Sequence, residues 1–485
     1  MGSGVKSKKY DYNIAVIGGG SAGLMAAYIA AAVKAKVVLI EKRALGGDCL
    51  NRGCVPSKAL LRCAKMAAYA NRAQEFGFKK TALEFDFCDV LKRVKEVVDE
   101  IAPHDSVARY VELGVDCVRG NARLVGPHTI AVDGRTITAR NIVIATGARP
   151  FVPPFSGLEQ VDYLTSETIW SLREQPKRLA VVGGGAIGCE LTQAFARLGS
   201  EVTQVEMGAR ILGRDDPEVS ELIQRKFENE GVRILTHHGI KEIRRDGQRK
   251  ILVCVCKDEL VEIEFDALLI AVGRKANVSG FGLEELGVKL APQGTIAVDD
   301  FLRTNFPHIY CAGDVAGPFQ FSHTAAHQAW YAAVNALFGG FKSFRVDYSV
   351  VPWATYTDPE VAQVGLNESA AKRQKIPCEA VRYDFKDIDR AVIDRESQGF
   401  VKVLTKPGTD KILGVTIVGS HASDLIAEYI LAMKHGIGLN KILGTMHIYP
   451  TLAEVNKATA EEWKRLHAPQ KLLRWVARFH DWRRG

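Results

Sequence analysis

Two copies of a strand–glycine turn–helix–strand pattern, two buried-type strands that end in glycine, and a change of pattern after about Asp347 predict the fold class. It is α/β, with two Rossmann-like dinucleotide-binding domains followed by a C-terminal α+β domain. A chain of 485 residues has room for two or three domains. Its 47% hydrophobic and 25% charged residues are ordinary globular values. The 44 glycines gather where strands turn into helices.

The first copy runs Tyr12-Asn-Ile-Ala-Val-Ile-Gly18-Gly-Gly20-Ser21-Ala22-Gly23, then an alanine-rich helix, then Val37-Val-Leu-Ile-Glu41. The second runs Arg178-Leu-Ala-Val-Val-Gly183-Gly-Gly185-Ala186-Ile187-Gly188, a helix to Leu198, and Val202-Thr-Gln-Val-Glu206. In each, the first glycine turns the chain and the second lets backbone N–H groups approach a pyrophosphate. The third lets helix pack on strand, and the helix N-terminus supplies positive potential. An acid about 20 residues on, Glu41 or Glu206, can accept ribose hydroxyls. Glycines serving helix–strand packing alone are the plainer alternative. Two such sites in one chain favour hydride traffic between a flavin and a nicotinamide. Ile142-Val-Ile-Ala145-Thr146-Gly147 and Leu268-Leu-Ile-Ala-Val272-Gly273-Arg274 read as the strands closing the two units. Later, Val401–Leu404 and Ile412–Val418 read as sheet and Ala422 to His435 as one helix, with no nucleotide fingerprint.

Cys49 and Cys54 stand in Gly46-Gly47-Asp48-Cys49-Leu-Asn-Arg-Gly-Cys54-Val-Pro-Ser-Lys58, ahead of a long helical pattern from Ala59. Four intervening residues, Gly53 among them, allow the chain to fold back so that the sulfurs can bond. A helix start lowers a thiolate's pKa, and Pro56 suits a first turn. A zinc site, two structural thiols or a chance spacing are the rival readings. Cys63, Cys88, Cys117, Cys189, Cys311 and Cys378 read as small core residues. No resident metal site is expected.

The run Cys49 to Lys58, CLNRGCVPSK, resembles the active-site motif of the pyridine nucleotide-disulfide oxidoreductases, the family of dihydrolipoamide dehydrogenase, glutathione reductase and mercuric reductase. The likeness extends from about Tyr12 to Ala460. It implies an FAD enzyme reduced by NADH, with NADPH as the other candidate. In it, Cys54 lies against the flavin as the charge-transfer thiolate and Cys49 exchanges with substrate. Lys58, near flavin N5, pairs with Glu190. The implied cofactor-binding positions are Gly18, Gly20, Ser21, Ala22, Gly23, Glu41, Lys42, Gly47, Asp48, Lys58, Ala145, Thr146 and Gly147 in the first domain. In the second they are Gly183, Gly185, Ala186, Ile187, Gly188, Glu206, Val272, Gly273 and Arg274. A return segment adds Gly313, Asp314 on the ribityl chain, and Ala325 at the pyrimidine edge. The implied domains are 11–150 and 276–346 for FAD, 151–275 for NAD(P), 347–465 for homodimerisation, and a tail at 466–485. An acid at Glu206 repels a 2′-phosphate, although Arg210 follows four residues on.

The sequence departs from the family at the histidine of His-Pro-Thr-x-x-Glu. Here the segment is His447-Ile-Tyr449-Pro-Thr-Leu-Ala-Glu454, so tyrosine replaces the histidine while the orienting Glu454 remains. A histidine titrates near pH 6.5 and a tyrosine near about 10, so tyrosine is a poor base for a thiol. His447 lies roughly 6–7 Å away along an extended chain and is a candidate substitute. Tyrosine here resembles the mercuric reductases, yet no cysteine follows Cys378 to pass on a metal ion. The expected acceptors are a small-molecule or protein disulfide, or a metal(II) ion; dihydrolipoamide dehydrogenase with an altered base and an electron-transfer component docked on a membrane are the alternatives.

Net charge is +8, too weak to imply nucleic acid, and much of it sits after Lys464. Leu472, Trp475, Val476, Phe479 and Trp482 share one face of a basic amphipathic helix. That helix either docks on its own dimer or meets an anionic membrane or a partner protein. With no visible signal peptide or spanning segment and scattered cysteines, the chain reads as cytoplasmic.

Overall fold

The computed structural model describes residues 9–81 and 83–485. Their packing forms two compact units. The described residues of Met1–Ala67, Leu83–Val205 and His238–Asp347 make one, and those of Ala68–Ala82, Glu206–His237 and Tyr348–Gly485 the other.

In the first unit, the strand Tyr12–Ile17 is apolar on both faces. Ile14 and Val16 join one core, beside Ala26, Ala27 and Ala30 of the helix Ser21–Ala32. Ala15 and Ile17 join the other, with Val38 and Ile40. Burial on both sides is what a central parallel strand requires. Its sheet runs Val115–Arg119, Val37–Glu41, Tyr12–Ile17, Arg135–Ile144, all parallel, with Ile309–Cys311 also alongside Arg135–Ile144. The helix Ser322–Phe338 shares the first core through Ala325, Ala329, Ala332 and Ala333. Small side chains on both helices let their backbones come close. A second parallel set runs Glu201–Val205, Arg178–Val182, Ala267–Ile270. Beside these stand an antiparallel sheet of Gly239–Asp246, Arg249–Cys256 and Glu259–Phe265 and a pairing of Ala148–Pro150 with Arg274–Ala276.

The second unit is built on a five-stranded antiparallel sheet in the order Pro352–Thr355, Glu360–Gly365, Ile412–Gly419, Phe400–Thr405, Glu379–Asp384. Helix Glu454–Leu466 packs on it through Val455, Ala460 and Trp463. The sequence-based strands are present, and three expectations change. The helix expected from Ala59 begins at Cys54 and runs to Asn71. Pro56 is its third residue, where no intrahelical N–H bond is lost. The single helix expected over Ala422 to His435 is two, Ala422–Leu425 and Ala427–Lys434. Asn456 Nδ2 donates to the Leu425 carbonyl at the break, at 3.1 Å, and an inserted donor is a recognised cause of such interruptions. Of the six cysteines assigned to the core, Cys189 and Cys311 are buried, Cys63, Cys117 and Cys378 are half-buried, and Cys88 is exposed. Cys88 lies off the stripe of Phe87, Val94 and Val98 that its helix buries.

One buried charge organises the second unit. Lys402, on the central part of the sheet, is 4% exposed and reaches Asp216 at 2.8 Å, with Glu218 and Glu368 also paired to it. Asp216 in turn accepts the N–H groups of Glu368 and Ser369, at the start of the helix Glu368–Gln374. Burial opposes the Lys402 cation, but the three carboxylates outweigh it and its pKa is raised. Burial likewise opposes the Asp216 anion, and the bonds from Lys402 and Ser369 hold its pKa below the usual value. Removing the lysine strands a buried carboxylate. Lys402→Met should therefore destabilise this unit by about 3–5 kcal/mol, read as a lower urea midpoint, whereas Lys386→Met on the surface should leave it unchanged.

Candidate active site

The two glycine turns repeat one geometry. Gly18 and Gly183 have φ of +107° and +116°, and a Cβ on either would collide with the carbonyl of Ala145 or Ala271. A Cβ on Gly23 or Gly188 would strike the carbonyl of Gly18 or Gly183. These four positions admit only glycine, so both turns bring a helix N-terminus against the carboxyl end of a strand. Among the described residues no side chain caps the helices Ser21–Ala32 and Ala186–Arg197 at Gly20 and Gly185, and neither has an acid in its first turn. Uncapped N-termini flanked by glycine fit the phosphates of a dinucleotide. Ser21 and Ala22 open the first helix; Ala186 and Ile187 open the second. The Glu41 carboxylate accepts the N–H groups of Gly19 at 2.6 Å and Arg43 at 2.7 Å, which holds it at the first turn. Lys42 beside it is exposed. Glu206, in the second unit, accepts Gly208 N–H at 2.6 Å.

The cysteine segment is attached to the first turn by backbone. A Cβ on Gly47 would meet Gly20 Cα at 2.6 Å. From there a short helix, Gly47–Asn51, carries Cys49. The Asp48 carbonyl then accepts both Arg52 N–H at 2.8 Å and Gly53 N–H at 2.6 Å. These two hydrogen bonds to one oxygen reverse the chain, and a Cβ on Gly53 would press on the same carbonyl at 3.1 Å. Arg52 is pinned by Glu167 at 2.8 Å and by Trp170 Nε1, which donates to its carbonyl at 2.7 Å. Cys54 thus returns to Cys49 as the first residue of the helix Cys54–Asn71, one turn ahead of Lys58.

The electrostatics separate the two thiols. A hydrogen bond from Cys49 is the main cause that lowers Cys54, with help from Ser322 and the Lys58 cation, and its pKa falls to about 6 although partial desolvation opposes this. The same bond, with burial, pushes Cys49 well above the ordinary thiol range. This ordering favours the thiolate on Cys54 and the thiol on Cys49. Lys58 Nζ pairs with Glu190 at 2.8 Å, and the Glu190 side chain is 5% exposed. Ser322 Oγ lies 3.6 Å from Cys54 Sγ. It heads the seventeen-residue helix Ser322–Phe338, and sequence reasoning missed it because its signal is a lone serine far from the pair.

The return segment closes on the same place. Gly313 touches the positions of Ala22 and Ala325, at 3.2 and 3.6 Å from a Cβ placed on it. Gln328, fully buried, accepts Gly313 N–H and donates to the Gly317 carbonyl, both at 2.7 Å, fixing the loop that holds Asp314. Arg274 bonds Asp48 and lies 3.5 Å from Asp314. Burial raises the pKa of Asp314, with Arg274 opposing. Asn277 ties down Thr146 and Gly147: it donates to the Thr146 carbonyl at 2.9 Å and accepts the Thr146 hydroxyl at 2.8 Å. Ala145 N–H joins the sheet at Ile17, and Gly273 accepts Phe151 N–H after Val272.

The C-terminal candidates lie in the second unit. Tyr449 is 67% exposed, and its hydroxyl donates to Asp389 at 3.0 Å. That bond and the Asp389 charge raise its pKa further above 10. The His447 side chain is 8% exposed, with Nε2 3.1 Å from Glu428 and Nδ1 3.1 Å from the Thr445 carbonyl, so both ring nitrogens are engaged. Glu454 accepts Thr451 N–H at 3.1 Å. Asp389 was not foreseen, since it lies sixty residues from Tyr449.

Comparison with known proteins shows the family. Residues 12–333 match the model of the pyridine nucleotide-disulphide oxidoreductases, and 351–460 match the dimerisation domain of the same proteins. The chain is 37% identical to a mercuric reductase of Bacillus cereus, over 92% of this chain and 70% of that one. It is equally 37% identical to a dihydrolipoyl dehydrogenase of Chlamydia trachomatis, over 92% and 95%. Among solved structures, the Cu(II) complex of an HOCl-induced flavoprotein disulfide reductase from Escherichia coli superposes with a TM-score of 0.82 at 25% identity, covering 92% of this chain and 98% of that one.

The thiol pair generates a direct test. In the reduced protein the thiolate ultraviolet absorbance of Cys54 should titrate with a midpoint at about pH 6, present above it and lost as pH falls. Ser322→Ala should move that midpoint up by about one pH unit, and Ser322→Thr should restore it. A midpoint near pH 8–9 in the unaltered protein would rule the assignment out.

Proposed function

Because the chain belongs to the pyridine nucleotide-disulphide oxidoreductases, FAD-dependent enzymes that use NAD(P)H, we propose that it oxidises NADH and delivers the electrons through Cys54 and Cys49 to a thiophilic metal(II) ion. The broader assignment, a flavoprotein disulfide oxidoreductase of the mercuric reductase and lipoamide dehydrogenase type, is established by the relatives. The observation that carries the finer reading is Tyr449, exposed and bonded to Asp389, beside a His447 whose ring nitrogens are both taken.

A disulfide acceptor such as lipoamide needs a base that takes and returns a thiol proton near neutrality. Tyr449 has too high a pKa for that, and both ring nitrogens of His447 are already engaged. A soft metal ion removes the need, because a coordinating thiol is deprotonated by the metal itself. The high pKa of Cys49 is then no obstacle. One NADH supplies two electrons, enough to take one Hg(II) to Hg(0) or two Cu(II) to Cu(I). The mercuric reductases among the relatives and the Cu(II) complex of the Escherichia coli reductase support this choice.

The cofactor sites fit the same scheme. The first glycine turn, Asp314 and the Gly313–Ala325 contact would hold FAD, which would supply the two-electron relay between nicotinamide and thiols. The second turn would hold the nicotinamide nucleotide. Lys58, kept in place by Glu190, provides positive charge behind Cys54. Across the dimer, Tyr449 and Glu454 of one subunit complete the partner's cysteine site. NADH is favoured over NADPH because Glu206 would face a 2′-phosphate, while Arg210 is directed to the Asp215 carbonyl at 3.4 Å.

Steady-state NADH oxidation with Hg(II), Cu(II), oxidised glutathione and lipoamide as acceptors tests the reading. Metal-dependent turnover should exceed lipoamide turnover. Tyr449→His should raise lipoamide turnover by at least about tenfold and leave NADH-driven dye reduction unchanged; brisk lipoamide turnover by the unaltered protein would overturn the proposal. In the same assay kcat/KM for NADH should exceed that for NADPH by about tenfold or more, with Glu206→Ala narrowing the gap.

A further inference from the structure

The last two helices are both amphipathic, and the described residues cover only one of them. Helix Glu454–Leu466 buries Val455, Thr459, Ala460 and Trp463. Helix Gln470–Arg484 follows after Pro469, and none of its fifteen residues is buried against the described residues of the chain. Its apolar face is continuous. Leu472, Trp475, Val476, Phe479 and Trp482 recur at helical spacing, and Trp475 and Phe479 stack at 6.5 Å with Trp482 6.0 Å further on. Trp475 is 65% exposed and Trp482 77%.

We propose that this helix lies flat on an anionic lipid bilayer, with its aromatic face in the headgroup layer and its arginines in the lipid phosphates. Charge selects this occupant. The helix carries Lys471, Arg474, Arg478, Arg483 and Arg484 against the single acid Asp481. Because the chain as a whole has a net charge of +8, a second copy is a poor partner for a basic helix, whereas an anionic surface attracts it. Tryptophan belongs at such a boundary, since its ring is apolar and its N–H is polar. Arginine extends from the rim of the same face along an apolar stem to the phosphates. Arg483 already lies over the Phe479 ring, 5.9 Å from its centre. Among the described residues no helix is long and apolar enough to cross a membrane, so this is attachment at the surface. It is independent of the acceptor proposed above.

Co-sedimentation decides it, using the FAD-loaded protein with vesicles of phosphatidylcholine alone or mixed with phosphatidylglycerol. The full chain should sediment with the mixed vesicles, and at least about tenfold less with phosphatidylcholine alone or at high salt. A chain ending at Ala468, and the double variant Trp475→Ser/Trp482→Ser, should lose the binding and keep NADH-driven dye reduction. Equal sedimentation of the full and shortened chains, or none by either, overturns the proposal. So does a shortened chain that becomes monomeric in sedimentation velocity, which would show the helix packing on a second copy, or binding by the full chain to a protein partner alone.

Discussion

The close approach of the Gly47 backbone to Gly20 is the constraint on which the redox site depends. It joins a glycine turn, whose shape follows from sterics, to the segment that carries both cysteines. With the two backbones in contact there, the Asp48 carbonyl has only to gather two N–H groups to bring Cys54 back to Cys49. Packing of the Ser322–Phe338 helix through its alanines then delivers Ser322 to the thiolate. Longer side chains then brace the segment, Glu167 and Trp170 at Arg52 and Arg274 at Asp48. Main chain and small residues set the path of the segment, and these polar side chains hold it in place.

Within that frame, charge is distributed so that two chemically equal thiols become unequal. Cys54 has the helix N-terminus, the Cys49 thiol, Ser322 and the Lys58 cation in its favour. Cys49 has the anion of its neighbour and burial against it. The buried Glu190 keeps Lys58 from turning toward solvent, at the usual cost of desolvating a pair. Elsewhere the second unit uses the same device for a different end, with Lys402 drawing three acids together to hold a sheet and a helix start in place.

Much of this was legible in the sequence because it is local. Gly18, Gly23, Gly183 and Gly188 announce themselves by spacing, and Cys49 and Cys54 by their short loop. The features that were not legible depend on distant pairings. Asp389 meets Tyr449, Gln328 fixes the loop of Asp314, and Asn456 breaks a helix at Leu425, each through a partner far along the chain. The start of the cysteine helix was misplaced for a different reason: helical periodicity becomes visible only after the first turn, and the first turn here is the functional one. Cys88 was misjudged because composition favours buried cysteine, whereas its helix turns another face inward.

The replacement of a histidine by Tyr449 reaches beyond the choice of acceptor. A histidine changes charge between pH 5 and 8 and so ties a reaction to the acidity of its surroundings. Tyr449, bonded to Asp389 with its pKa raised further, stays neutral throughout that range. If the outer half-reaction is served by this side chain, as proposed above, its rate would carry no titration from this position between pH 5 and 8.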